Sequence, residues 1–140
     1  MMKKIPWFLR KQIVLFVSFI VIISYSCTKS EGPELSIVTD KEPGAAVLHG
    51  LTRLSESLQT KNIRFEKVGS IEEAKGKTII VAGLDSGEGM ASKLLKSGNC
   101  IVLQVPEALT IWKSDWQKKP VWVISGFDDR GLMYALLDVA

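Results

Sequence analysis

Apolar and polar positions alternate along this chain with two different periods, and the switches between them mark out strands and helices. Leu35-Ser36-Ile37-Val38-Thr39 and Thr78-Ile79-Ile80-Val81-Ala82 are apolar runs of strand length. The second is unbroken, as in a central strand covered on both faces. From about Gly44 to Gln59 the period changes. At 100° per residue, Val47, Leu51, Leu54 and Leu58 fall in a narrow sector with Leu48 on its flank, so an amphipathic helix with one buried stripe is predicted. Ile63 to Val68 alternates like a half-buried edge strand. Ile71 to Lys75 reads as a turn of helix. Met90 to Ser97 reads as a short helix closed by Gly98-Asn99. Three further strands are predicted at Ile101–Val105, Leu109–Lys113 and Val121–Ser125, and Asp128 opens a last helix. Single helices between strands imply crossovers, and adjacent strands imply antiparallel pairing. The fold class is therefore an α/β (α+β) sandwich. It has a mixed β-sheet with two to three helices mainly on one face, preceded by an N-terminal signal helix.

The first residues follow a different logic. Lys3, Lys4, Arg10 and Lys11 precede thirteen residues, Ile13 to Tyr25, that are apolar apart from Ser18, Ser24 and Tyr25. A membrane span needs roughly 20 apolar residues. A basic leader, a short apolar core and small residues before a cut describe a secretory signal peptide. Ser24-Tyr25-Ser26-Cys27 resembles a bacterial lipobox, with Tyr25 where a small residue is usual. That resemblance implies a lipidated Cys27; the alternative is an uncleaved anchor. Residues 1–26 are then the signal peptide and 27–34 a polar tether. The expected location is the cell envelope, lipid-anchored at the outer membrane on its periplasmic or surface face.

Removing the leader changes the charge. The whole chain carries +3, but four of its eighteen basic residues and none of its fifteen acids lie before Cys27, so the remainder carries −1. That balance gives no electrostatic reason to expect nucleic acid. It also assigns membrane contact to the lipid rather than to a basic patch. Apart from Cys27 the one cysteine is Cys100, which opens an apolar run and reads as a small buried hydrophobe. No disulfide framework is available, so the core alone must hold the fold.

Candidate chemistry is sparse. Gly83-Leu84-Asp85-Ser86-Gly87-Glu88-Gly89 joins a strand to a helix, where phosphate loops occur. It lacks the Gly-Lys-Ser/Thr ending and the dinucleotide spacing, and its acids would repel phosphate. His49 is the only histidine and projects away from the helix stripe, with Ala45 and Arg53 as helical neighbours. No metal site and no cofactor are expected. Asp128 and Asp129 are adjacent at a helix start and point in different directions, so capping suits them better than acid/base work across a cleft. No Gly-x-Ser-x-Gly elbow is present. If Leu109 and Ile111 face the core, Trp112 faces outward, in phase with Trp116. Either both indoles pack against the domain's own edge, or, exposed, they suit the docking of another domain or sugar stacking.

These elements together resemble a known module, the N-terminal non-catalytic α/β domain of bacterial beta-N-acetylhexosaminidases, alpha-glucuronidases and related glycoside hydrolases. The matching residues are Leu35–Thr39, Gly44-Ala45-Ala46-Val47-Leu48 and Thr78–Gly83. The closing strand Val121–Gly126 runs into Asp128-Asp129-Arg130-Gly131-Leu132-Met133-Tyr134, which resembles the family's Asp-x-Arg-Gly-x-x-Tyr helix start. Ala135 stands where the family often has glycine. The resemblance covers residues 35–140. It implies an accessory domain that braces a catalytic barrel in cis, with Asp128, Asp129, Arg130, Gly131 and Tyr134 as structural or inter-domain residues. The family's paired carboxylates lie in that barrel, and no position here inherits them. The chain reaches Ala140 before its last helix has had room to finish, so the expectation is a domain severed from its barrel. The rival reading is a free-standing surface lipoprotein that binds glycan or protein through Trp112 and Trp116.

Overall fold

The computed structural model describes residues 32–39 and 42–140; the signal peptide, Cys27 and the start of the tether lie outside the described residues. In chain order the elements are β1 (Leu35–Thr39), α1 (Ala45–Thr60), β2 (Phe65–Val68) and a 3-10 turn (Ile71–Glu73). They continue with β3 (Thr78–Leu84), α2 (Met90–Ser97), β4 (Leu109–Trp116), β5 (Lys119–Gly126) and α3 (Asp129–Asp138). The five strands form one mixed sheet in the order β2-β1-β3-β5-β4. β1 pairs in parallel with both β2 and β3, and β3 pairs in parallel with β5. Only β4 runs antiparallel, hairpinned onto β5.

The sheet is covered on both faces, and the strand period of two sorts its side chains. Ile37, Ile80 and Ile124 point to one face. There they meet the stripe Val47, Leu51, Leu54 and Leu58 of α1 and Leu132 and Leu136 of α3. Val38, Ile79, Val81, Val121 and Val123 point to the other face. They meet Ala91, Leu94 and Leu95 of α2, with Ile71 and Val102 beside them. Among the described residues, two of the three α-helices therefore share a face and the third covers the opposite one. At eight residues α2 is too short to persist alone, so its packing holds it. Asn62 and Asn99 follow α1 and α2 in the left-handed region, with φ of 55° and 51°. Asparagine tolerates that conformation, which lets Ile63 and Cys100 bond back to the carbonyls of Leu58 and Leu95 at 2.9 Å each.

Two expectations are corrected. Residues 101–105 are not a strand. Of this run only Val102 turns inward, at 3% exposure, while Ile101 and Leu103 stand 83% and 71% exposed. Gln104 Nε2 ties the run to the end of β3, donating to Asp85 Oδ2 at 2.6 Å and to the Val102 carbonyl at 3.0 Å. The place beside β5 goes instead to residues 109–116, joined to it by a two-residue turn that costs little closure entropy.

The expected facing of β4 is also reversed, and of the alternatives for Trp112 and Trp116 the structure selects packing against the domain's own edge. Pairing puts Trp112 opposite Val123 and Ser114 opposite Val121, and those valines face α2. Trp112 and Trp116 are therefore half-buried against that apolar layer. Leu109 and Ile111 emerge on the other face, 37% and 36% exposed. Gly98 completes the seat of Trp112: a Cβ there would overlap the six-membered edge of the indole.

Two measurements follow. Trp112→Ala should lower unfolding free energy by about 2–3 kcal/mol, near the lower end of large-to-small core losses, whereas Trp122→Ala should cost under about 1 kcal/mol; urea melts of the two variants make the comparison. The β4–β5 turn places Gln117 and Lys118 at φ of 49° and 67°. Gln117→Asn with Lys118→Gly should therefore raise stability by roughly 1–2 kcal/mol in the same assay, because side chains of this kind pay for left-handed backbone.

Candidate interaction site

The turn from β5 into α3 is the most tightly specified place in the fold. Asp128 sits in extended backbone as the N-cap of α3, and its Oδ1 accepts the Gly131 N–H at 2.8 Å. Its Oδ2 accepts the Glu107 N–H at 3.1 Å, so one carboxylate joins the helix start to the loop before β4. The Phe127 N–H bonds the Ala108 carbonyl at 2.9 Å, a second tie between the same segments. Gly131 is required by contact, since a Cβ would run into the Ala108 carbonyl oxygen. The Gly131 N–H first, and the Glu107 N–H second, hold the Asp128 carboxyl below its ordinary value.

Asp129 points elsewhere. Its carboxylate lies against Gly44 at the start of α1, the positive end of that helix. The two aspartates thus point to different helix starts and do not face one another. Arg130 is exposed and bonds Glu107 at 3.3 Å, an ion pair in open solvent worth little. Tyr134 is 40% exposed. Leu132, Ala135 and Leu136 on the inner side of α3 are buried. The motif therefore divides, with Asp128, Gly131 and Leu132 fixing the junction while Arg130 and Tyr134 stay at the surface.

Beside α3 the sheet is left uncovered toward β4. Ile111 of β4 and Trp122 of β5 floor an apolar groove of about 370 Å³ with Ile80 and Ile124, walled by Leu58 and Val139. Trp122 is 42% exposed. Trp122 was missed in the sequence reading, although the signal exists. In Val121-Trp122-Val123 it has the opposite parity to two valines that are fully buried. A tryptophan on the other face of a strand next to the edge needs a cover that the described residues do not supply.

A second carboxylate is held at the other end of the sheet. Ser36 Oγ donates to Glu66 Oε1 at 2.7 Å and accepts the Gly76 N–H at 2.8 Å, and Lys75 N–H donates to the same Glu66 oxygen at 2.6 Å. The Ser36 hydroxyl is the main cause that lowers the Glu66 carboxyl below its usual range. Cys100 is a free thiol, half-buried, with Sγ 3.9 Å from Thr110 Oγ1. His49 is exposed on the outer side of α1. Among the described residues no three His, Cys, Asp or Glu side chains gather as metal ligands, and no helix is long and apolar enough to cross a membrane. No protein-family model matches this chain, and no curated protein sequence matches it.

The lowered Asp128 and Glu66 carboxyls fix a sign for the pH dependence of stability. The unfolded chain takes up their protons near the ordinary values of about 4, and the folded chain only at lower pH. Their contribution is complete above about pH 5 and is lost as the pH falls through the folded values. The urea midpoint should therefore drop between about pH 5 and pH 2. Asp128→Asn combined with Glu66→Gln should give a lower midpoint at pH 7 and a shallower fall.

Proposed function

We propose that this chain is the non-catalytic accessory domain of a lipid-anchored glycoside hydrolase that degrades carbohydrate, and that it receives its catalytic barrel on the surface between α3 and β4. The observation that carries the reading is the strand–turn–helix junction from Val121 to Tyr134. Its Asp128 cap and Gly131 contact suit a fixed platform, while Arg130 and Tyr134 of the same motif remain open to a neighbour. The groove floored by Ile111 and Trp122 lies beside that helix and is apolar, which suits a protein partner better than water. Cys27 carries the lipid and supplies the membrane attachment. Bond cleavage is assigned to the barrel, because Asp128 is engaged as a cap and Asp129 lies apart from it beside Gly44.

The rival reading, a free-standing glycan-binding lipoprotein, moves from Trp112 and Trp116 to Trp122, the indole with the most open face on the sheet. Reading the coding frame beyond codon 140 separates the two. A barrel with paired carboxylates in frame upholds the accessory-domain reading, and a stop codon in an intact gene overturns it. The groove has its own test. A separately expressed barrel should bind residues 28–140 at least about tenfold more weakly when Trp122→Ser is present, as for a central aromatic anchor. The purified domain alone should release no chromophore from aryl glycosides.

A further inference from the structure

The sheet ends on two edges of unequal length. β2 at one side is four residues long, whereas β4 at the other is eight. Short edges protect a sheet from adding strands, and long ones invite it. The phase of the hairpin says which groups on β4 face outward. Its two-residue turn leaves Trp116 opposite Lys119 as the closing pair, and the closing pair of such a turn is hydrogen-bonded. Thr110, Trp112, Ser114 and Trp116 therefore point their backbone N–H and C=O groups at β5. Pro120, opposite Asp115, agrees with this phase because it has no N–H to give. Ile111, Lys113 and Asp115 then turn their backbone groups away from the sheet, and among the described residues no backbone bond from another element meets them. The side chains of Lys113 and Asp115 are exposed as well, and neither forms an ion pair within the described residues.

We propose that β4 pairs antiparallel with β4 of a second copy of this chain, about a two-fold axis at Ser114, joining the two sheets into one. An axis normal to the sheet keeps like faces together, so only residues of like parity stand opposite one another. That leaves few registers, and charge chooses among them. Centred on Lys113, the pairing sets that ammonium against its own copy. Centred on Asp115, it opposes two carboxylates. Centred on Trp112 or Ile111, it sets Lys113 against Ile111 or Leu109. Only the axis at Ser114 places Lys113 opposite Asp115 of the second copy, and symmetry makes that pair twice. The backbone agrees, since Lys113 and Asp115 carry outward N–H and C=O groups, and the two charged pairs are also the hydrogen-bonded ones. Ser114 meets its own copy as a non-hydrogen-bonded pair, where Cα atoms approach to about 4.5 Å and a small side chain fits. On the face of α2, Trp112 stands opposite Trp116 of the second copy, an aromatic cross-strand pair also made twice. One strand that complements its own charges favours a second copy over a different protein. The added strand lies in the plane of the sheet, so the floor of Ile80, Trp122 and Ile124 keeps its open face. The inference goes beyond the accessory-domain reading and does not depend on it.

The test uses residues 28–140 without lipid, a unit that carries its own sheet and both apolar layers. The overlap runs only from Trp112 to Trp116, a small contact, so the expected dimer is weak. Analytical ultracentrifugation at about 50 mM salt should show a monomer at about 5 μM and mostly dimer at about 1 mM. Lys113→Glu and Asp115→Lys each oppose like charges in both pairs, and each should weaken self-association at least about tenfold. Mixed in equal amounts, the two variants bring opposite charges together again in both pairs. They should then associate with each other about as well as the native chain does with itself. Both positions are exposed, and circular dichroism melts check that each variant folds. Mixing does not repair a misfolded variant, and no other register of β4 on itself gives this pattern of loss and rescue. The proposal is overturned if the native chain stays monomeric at about 1 mM, if either variant dimerises as well as the native chain, or if the mixture stays monomeric.

Discussion

The double-sided burial of β3 is the constraint on which the rest of this structure depends. Ile79 and Val81 feed one apolar layer, while Ile80 and Ala82 feed the other, all at 7% exposure or less. A strand loaded this way cannot slip by a single residue without exchanging its two faces. β1 and β5 take their registers directly from it, and β4 takes its register from β5. The inward turn of Trp112, the outward turn of Ile111 and the bare face of Trp122 all follow from that chain of registers. The candidate interaction groove is thus a by-product of the central strand, made where helix cover runs out before the sheet does.

The legible parts of the fold were those where a local pattern and the final packing agree. Leu35–Thr39 and Met90–Ser97 fall where their periodicity places them, because each has an apolar face that only one kind of element presents. Asp128 was legible as a cap because a carboxylate just before a helical apolar run has few other uses. Residues 101–105 were not legible. Their composition suits a strand, but a strand requires a partner edge, and a sequence does not say which run will win it. The hairpin of 109–116 won through proximity to β5. The facing of β4 failed for a related reason. The alternation in β4 was correct, yet which parity faces inward depends on Val121 and Val123 across the pair.

The junction and the groove give one small body two kinds of surface. At the turn into α3, Asp128 and Gly131 fix a corner from which Arg130 and Tyr134 project. Beside α3, Ile111 and Trp122 leave an apolar face open.

The pairing of the first helix with the last has a consequence for biosynthesis. Gly50 of α1 lies so close to Leu136 of α3 that a Cβ on the glycine would stand 2.9 Å from the leucine Cβ. The stripe of α1 is made early on the ribosome, but its partner Leu136 comes 86 residues after Gly50. Until then Leu51 and Leu54 lack their covering helix, and the nascent domain presents a sticky face to its surroundings. Chaperone demand should therefore persist until α3 has emerged, after all five strands of the sheet have been synthesised.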